Sequence, residues 1–144
     1  MINYDLSKID VPKILSLDTA GLRKGLLAGE FTSVDLVSVF GDRCQRIGRR
    51  LNLTAEENLN EAWTLANAKD EERKIAREQG RLDELPPLHG IPISIKDMFW
   101  QKGFLATVGC AFLCKPTDRA DEDGLIVKLF RNAGAIPLVR GNVP

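Results

Sequence analysis

The sequence predicts an α/β fold in which amino-terminal helices precede the first strands and crossover helix of a mixed sheet flanked by helices. Two observations support this prediction. Up to about residue 80, apolar residues recur at helical spacing, whereas beyond it short β-branched runs alternate with one helical pattern. We therefore divide the chain into an amino-terminal helical segment, 1–80, and the start of an α/β core, 81–144.

The helical segment begins with a predicted helix from Asp18 or Thr19 to about Ala28, which ends near Gly29. The run Thr32-Ser33-Val34-Asp35 is an acidic variant of the capping box and predicts the start of a second helix. The apolar residues of this second helix predict one buried stripe, formed by Leu36, Val37, Phe40, Cys44, Ile47 and Leu51.

A third helix is predicted over roughly 56–80, and we expect its highly charged second half to project into solvent. Residues 81–87 end in two prolines and are interpreted as a connector. Taken without the rest of the chain, three such helices would also fit a helical interaction module.

The α/β segment opens with 91–95, where isoleucines alternate with Pro92 and Ser94. This alternation predicts a short strand with the isoleucines on one face and Ser94 and Lys96 on the other. A helix is predicted to begin at Asp121 or Asp123 and to end at Gly134, with an apolar stripe of Leu125, Ile126, Leu129, Phe130 and Ala133.

The apolar run 135–139 then suits a buried strand. A strand, a helix and a second strand in this order predict a right-handed crossover onto one sheet. If 135–139 is a central strand, the chain alone has open strand edges and uncovered apolar faces. We expect it to associate or aggregate when it is expressed alone.

Lys96 is the candidate catalytic residue because it ends an apolar run. Burial of an ammonium without a partner favours the neutral amine, which can act as a base. Asp97 would point away from Lys96 in a continuing strand and is therefore a poor counter-ion. The alternative is a lysine that merely ends a strand and extends into water.

An ordered series of motifs resembles the amidase signature family, including its fatty-acid-amide-hydrolase-like branch. The series runs through LHGIPISIKD (88–97), Lys102-Gly103, Thr107, Gly109, Asp121-Glu122-Asp123, Val127, Leu129, AGAIP (133–137) and GNVP (141–144). LLAGEFTSVDL (26–36) and Leu51-Asn52 followed by 56–74 look like the family's amino-terminal helices, so the resemblance covers roughly 17–144. It implies an incomplete amidase signature fold, truncated at its carboxyl end.

The resemblance also implies amide hydrolysis by a Ser-cisSer-Lys triad in which Lys96 is the base. The sequence contains no serine after Ser94, whereas the family's two serines and its glycine-rich oxyanion segment lie beyond the position of Pro144. Without them the largest contributions to acyl transfer are missing. We therefore expect the chain to be inactive alone and to need a carboxyl-terminal amidase half or a larger assembly, with a small-molecule amide substrate only in the complete enzyme.

Two local alternatives, a Ser94–Lys96 dyad and a metal site, are less favoured by the residues. Ser94 and Lys96 could form a dyad of their own, but such a pair would still need an oxyanion site. Cys110, Cys114 and His89 could supply three metal ligands, but their spacing and apolar surroundings favour buried thiols and a turn or packing role for His89. Neither the residues nor the resemblance requires a cofactor.

Composition excludes several other classes of protein. Net charge is zero, with 20 basic and 20 acidic residues, so no electrostatic footprint for nucleic acid is present. The sequence contains neither a transmembrane segment nor a secretory leader, and an odd number of cysteines argues against a disulfide framework. These features predict a soluble intracellular chain, in the cytoplasm or an organelle. A non-catalytic, amidase-like structural or accessory subunit of a larger assembly remains the alternative to an amidase part.

Overall fold

The computed structural model describes residues 2–144, which form five α-helices and one three-stranded sheet. The helices are α1 (Val11–Ser16), α2 (Thr19–Ala28), α3 (Ser33–Arg43), α4 (Leu59–Glu78) and α5 (Leu125–Asn132). The strands are β1 (Thr54–Glu57), β2 (Pro92–Lys96) and β3 (Ile136–Gly141). A π-helical turn continues α3 over Cys44–Gly48, and three short 3-10 turns lie at Leu82–Glu84, Ala111–Leu113 and Pro116–Asp118.

The sheet has the order β1-β3-β2, with β3 in the centre. β2 and β3 are parallel, and α5 lies between them in the chain, which confirms the predicted strand, helix and strand. β1 pairs with β3 in the antiparallel sense, so the sheet is mixed. The fold is therefore α/β with helices packed on a mixed sheet, as the sequence predicts.

Two apolar clusters hold the helices against the sheet, and α3 contributes to both. The first joins α1, α2 and α3 to the residue before β2, through Ile14, Leu22, Leu26, Phe31, Leu36, Val39 and Ile91. The second joins α3 and α4 to β3, through Val37, Leu59, Ala62, Ala66, Ile136, Leu138 and Val139. Burial of these side chains is the main favourable contribution to folding.

The helix boundaries near residue 30 agree with the sequence. Asp18 caps α2 by accepting a hydrogen bond from the Gly21 N–H group, and Gly29 ends that helix in the left-handed region at φ 76°. Thr32 and Asp35 form the predicted capping box at the start of α3. Local hydrogen bonding specifies these ends, which is why a sequence pattern could locate them.

Other elements differ from the prediction. α1 and β1 were not predicted, and the third predicted helix begins at Leu59 rather than near residue 56. The charged half of α4 does not simply project into solvent, because Arg73 is buried and its guanidinium contacts the hydroxyl of Ser33 and the carboxylate of Asp70. Asp70 in turn accepts hydrogen bonds from the first N–H groups of α3. The charge run thus contains a polar contact that joins α4 to α3, in addition to the second apolar cluster.

The predicted apolar stripe of α5 and the end of the stripe predicted for the second helix do not face the core. On α5 only Val127 is buried, at 0% exposure, whereas Leu125 and Leu129 are 71% and 55% exposed. At the end of the second predicted stripe, Ile47 and Leu51 are also exposed. Helical spacing indicates that a helix has an apolar face but does not indicate whether another element covers that face.

β1 and α4 belong to the predicted segment 1–80, yet both pack on β3 of segment 81–144. These contacts cross the division at residue 80, which stays a prediction about the organisation of the chain. Within residues 2–144, no helix has the length and apolar character that a bilayer crossing requires.

Candidate functional site

Lys96 is the last residue of β2, at the carboxyl end of the parallel pair β2 and β3. Ile91 and Ile95 are buried, whereas Ser94 and Lys96 are exposed, as the predicted alternation requires. The strand ends there because the Lys96 carbonyl accepts hydrogen bonds from the N–H groups of Met98 and Phe99, at 2.8 and 3.1 Å. Lys96 therefore lies where a strand meets a tight turn.

The Lys96 side chain extends into solvent rather than into an apolar pocket. Among residues 2–144, neither the Lys96 ammonium nor the Ser94 hydroxyl has a hydrogen-bond partner, so the two side chains do not form a dyad. Within these residues Lys96 therefore matches the alternative named above, a lysine that ends a strand and extends into water. The ammonium is accessible to groups from outside these residues.

Asp97 anchors the turn that follows Lys96. Its side chain points inward and is 1% exposed, and its Oδ1 accepts a hydrogen bond from the Arg140 Nη2 group at 3.0 Å. The Thr107 hydroxyl donates to Oδ2 of the same carboxylate. Asp97 also uses its backbone, because its N–H group donates to the Gly141 carbonyl and its own carbonyl accepts from Val108. Asp97 thus binds both β3 and the loop that contains Thr107 and Val108.

Arg140 is the other half of this buried pair and comes from β3. It is 0% exposed, and its Nη2 group also donates to the Phe99 carbonyl at 2.9 Å, while Nη1 lies 3.4 Å from Oε1 of Gln101. One guanidinium therefore holds residues 97, 99 and 101 in fixed positions relative to β3. Arg140 is not among the site residues that the sequence predicts. The available signal was a single charge in the apolar run of a central strand.

An open apolar cleft lies beside strands β2 and β3. Its volume is about 320 Å³, and its lining comes from the π-helical turn and from strands β2 and β3. The lining includes Cys44, Ile47, Leu53, Ile93, Ser94 and Val139. Burial raises the pKa of the Cys44 thiol, with the Glu57 carboxylate adding to the effect. A protonated, half-buried thiol acts as a small apolar group, so the cleft offers apolar contact rather than chemistry.

The other predicted candidates lie outside this arrangement. Cys110, Cys114 and Cys44 are free thiols, and the prediction that Cys110 and Cys114 are buried is wrong, because Cys110 is only partly buried and Cys114 is exposed. Within residues 2–144 no cluster of histidine, cysteine or acidic residues could hold a metal ion. His89 is buried and its Nε2 group lies 3.0 Å from the Lys69 carbonyl, in agreement with a packing role in the turn before β2. Met98 and Trp100 are exposed and do not belong to the core.

Comparison with known proteins places this arrangement in a family. The family model Amidase matches residues 35–144. The putative amidase kk1C of Curvularia clavata is 38% identical over 117 residues, which cover 81% of this chain and 20% of that protein. A probable amidase of Saccharomyces cerevisiae is 33% identical over 143 residues, covering 97% of this chain and 24% of its own length.

A solved structure of a fatty acid amide hydrolase matches with a TM-score of 0.79 and 26% identity, over 95% of this chain and 23% of that one. This chain belongs to the Amidase family, because the family model matches residues 35–144 and the α/β fold agrees with that of the solved relative. The chain spans about a quarter or less of the length of these relatives.

Proposed function

We propose that this chain contributes Lys96, as the proton-transferring base, to an active site that hydrolyses amides. The observation that carries the proposal is the accessible Lys96 ammonium, which ends strand β2 and precedes a turn fixed by a buried ion pair, within the region that matches the Amidase family. A catalytic group on a strand end with a rigid support can be held to the tolerance that proton transfer needs.

In the proposed chemistry, the neutral amine of Lys96 accepts a proton from a serine hydroxyl, directly or through a second, bridging serine in a cis peptide. The activated serine attacks the amide carbonyl, and the lysine later returns the proton to the departing amine. This chain has no serine after Ser94, and Ser94 does not contact Lys96. Both serines and the oxyanion site would therefore come from a further amidase segment, in the same polypeptide or in a partner.

Asp97 and Arg140 support the proposal indirectly. Both are buried and bonded to each other and to the surrounding backbone, so their side chains are not accessible to a substrate. Their role is to fix the turn after Lys96 against β3.

We propose a small-molecule amide as the substrate of the complete site.

The chimera that tests this proposal replaces the matching quarter of the Saccharomyces cerevisiae relative with this chain. Hydrolysis of a panel of small amides is measured for the chimera, for its Lys96→Ala variant and for a control, Lys102→Ala, which removes another exposed lysine six residues away. Loss of a general base lowers kcat by about 100- to 10,000-fold. We expect that loss for Lys96→Ala, near-normal activity for Lys102→Ala and no hydrolysis by this chain alone.

Retained hydrolysis in the folded Lys96→Ala chimera would refute the role of the lysine. The alternative function, a non-catalytic accessory subunit, is favoured by the exposed apolar residues of α5, which form a surface suited to a protein partner. It predicts a chimera that folds, as judged by circular dichroism, but hydrolyses none of the amides that the unmodified relative hydrolyses.

A further inference from the structure

Val108 has a backbone conformation that its side chain disfavours. Its φ is +53°, in the left-handed region, where a β-branched side chain is crowded by its own backbone. Among residues 2–144, Asn52 is the only other non-glycine residue with positive φ, and asparagine tolerates that region. The strain is therefore specific to Val108, and it arises from the local path of the chain.

That path is a four-residue turn, Thr107–Cys110, in which the Cys110 N–H group donates to the Thr107 carbonyl at 2.8 Å. Both central residues, Val108 and Gly109, have positive φ, as in a type I′ turn, whose usual central pairs are Asn-Gly and Gly-Gly. A Cβ atom at Gly109 would lie 2.9 Å from the Val143 carbonyl oxygen, so the second position also needs glycine for space. At the first position, glycine or asparagine would fit the backbone better than valine does.

Hydrogen bonds to Asp97 hold the turn in this conformation. The Val108 N–H group donates to the Asp97 carbonyl at 2.9 Å. The N–H group and the hydroxyl of Thr107 both donate to Oδ2 of the Asp97 carboxylate. These three bonds offset the strain at Val108. They also bind Val108 directly to the residue that follows Lys96.

The turn lies at the same edge of the sheet as Lys96. Lys96 and Gly141 are the last residues of the parallel strands β2 and β3, and the turn approaches Asp97 and Val143, just beyond these strand ends. Ligands of open α/β sheets bind outside the carboxyl ends of parallel strands. Val108 is 46% exposed and belongs to neither of the two apolar clusters. The turn thus places an apolar side chain beside the candidate base, at the edge where a substrate is expected.

We propose that Val108 is a specificity-determining residue, whose isopropyl group packs against an alkyl substituent of the amide that is hydrolysed beside Lys96. This role rests on the proposed function of Lys96 and adds a substrate class to it, namely amides that carry an alkyl group. Contact with valine favours such a group, because apolar surface leaves water, and disfavours a charged group, which would lose hydration. The role also explains the strain, since glycine or asparagine would fold more easily but would offer no comparable apolar contact.

The chimera that carries this chain tests the role of Val108 through its Val108→Asn and Val108→Ile variants. The values of kcat/KM are measured for acetamide, for hexanamide, which has a longer acyl group, and for N-hexylacetamide, which has the alkyl group on the amine. Val108→Asn removes the apolar contact, so the preference for at least one of the two alkyl amides over acetamide should fall about 10-fold or more. Val108→Ile is the matched control, because it keeps a β-branched apolar side chain and should largely keep the preference.

Thermal unfolding of the same chimeras separates contact with substrate from packing inside the protein. Val108→Asn should leave the Tm unchanged or raise it, because asparagine tolerates the left-handed region. An unchanged preference for both alkyl amides overturns the role of Val108. A lowered Tm together with that result would assign the side chain to packing against the further amidase segment.

The role of Val108 and the role of Lys96 fail in different ways. Hydrolysis of all three amides that survives Lys96→Ala would refute the base, yet the preference of the chimera among them would still be measurable. A preference that survives Val108→Asn would refute the alkyl contact and would leave the base unaffected.

Discussion

Replacement of Arg140 by methionine should strongly destabilise the chain. The change keeps much of the apolar volume but removes the guanidinium from a fully buried position, leaving the Asp97 carboxylate with Thr107 as its remaining side-chain donor. Breaking a buried ion pair from one side costs about 3–5 kcal/mol, because an uncompensated charge stays buried. For a chain of this length that corresponds to a fall in Tm of about 6–20 °C.

The assay is urea unfolding followed by circular dichroism, performed on Arg140→Met, Asp97→Leu and the double variant. The double variant should lose less stability than the sum of the two single variants, because it leaves no unpaired charge. Lys128→Met is the control, since its ion pair with Glu122 is at the surface and should contribute little to stability. A loss below about 1 kcal/mol in Arg140→Met, or strict additivity, would refute the reasoning.

Two further predictions concern Gly134 and His89, which contact each other. Gly134 has φ +86°, and a Cβ atom there would lie 2.8 Å from the Cα atom of His89, so Gly134→Ala should cost about 2–4 kcal/mol in urea unfolding. Gly103→Ala, at φ +80° with nothing nearby, should cost only the strain of about 1–2 kcal/mol, and equal losses would contradict the clash. Burial lowers the pKa of His89 below its ordinary value of 6.5, so the unfolded chain binds the extra proton and stability falls as pH drops below about 6.5. His89→Gln should therefore lose less stability than the wild type between about pH 7.5 and about pH 5.5, and an identical loss would disprove the assignment.

The elements that the sequence predicts correctly are those specified by local interactions. The capping box of Thr32 and Asp35 and the left-handed Gly29 are satisfied within one turn of helix, so their residue types indicate the boundary directly. The strand at β3 was also predicted, because a central strand is buried on both faces and is therefore a continuous apolar run.

β1 could not be predicted in the same way. Its residues, Thr54–Glu57, have neither apolar alternation nor a buried run, and they become a strand because they pair with β3 about 80 residues later. The burial of Arg73 likewise depends on Ser33 in another helix. In both cases contacts made after folding override what the local pattern indicates.

The candidate site depends both on local interactions and on contacts between residues that are distant in sequence. Lys96 was found from its own motif, whereas the position of its turn depends on Arg140, which is 44 residues away in sequence and bonds to Asp97 and to the Phe99 carbonyl. A general base must be placed within a few tenths of an ångström of the proton that it accepts. If Lys96 acts as proposed, the precision of that placement comes from a residue that never touches substrate. Changes at Arg140 that leave the chain folded should therefore lower kcat in the chimera more than they raise KM.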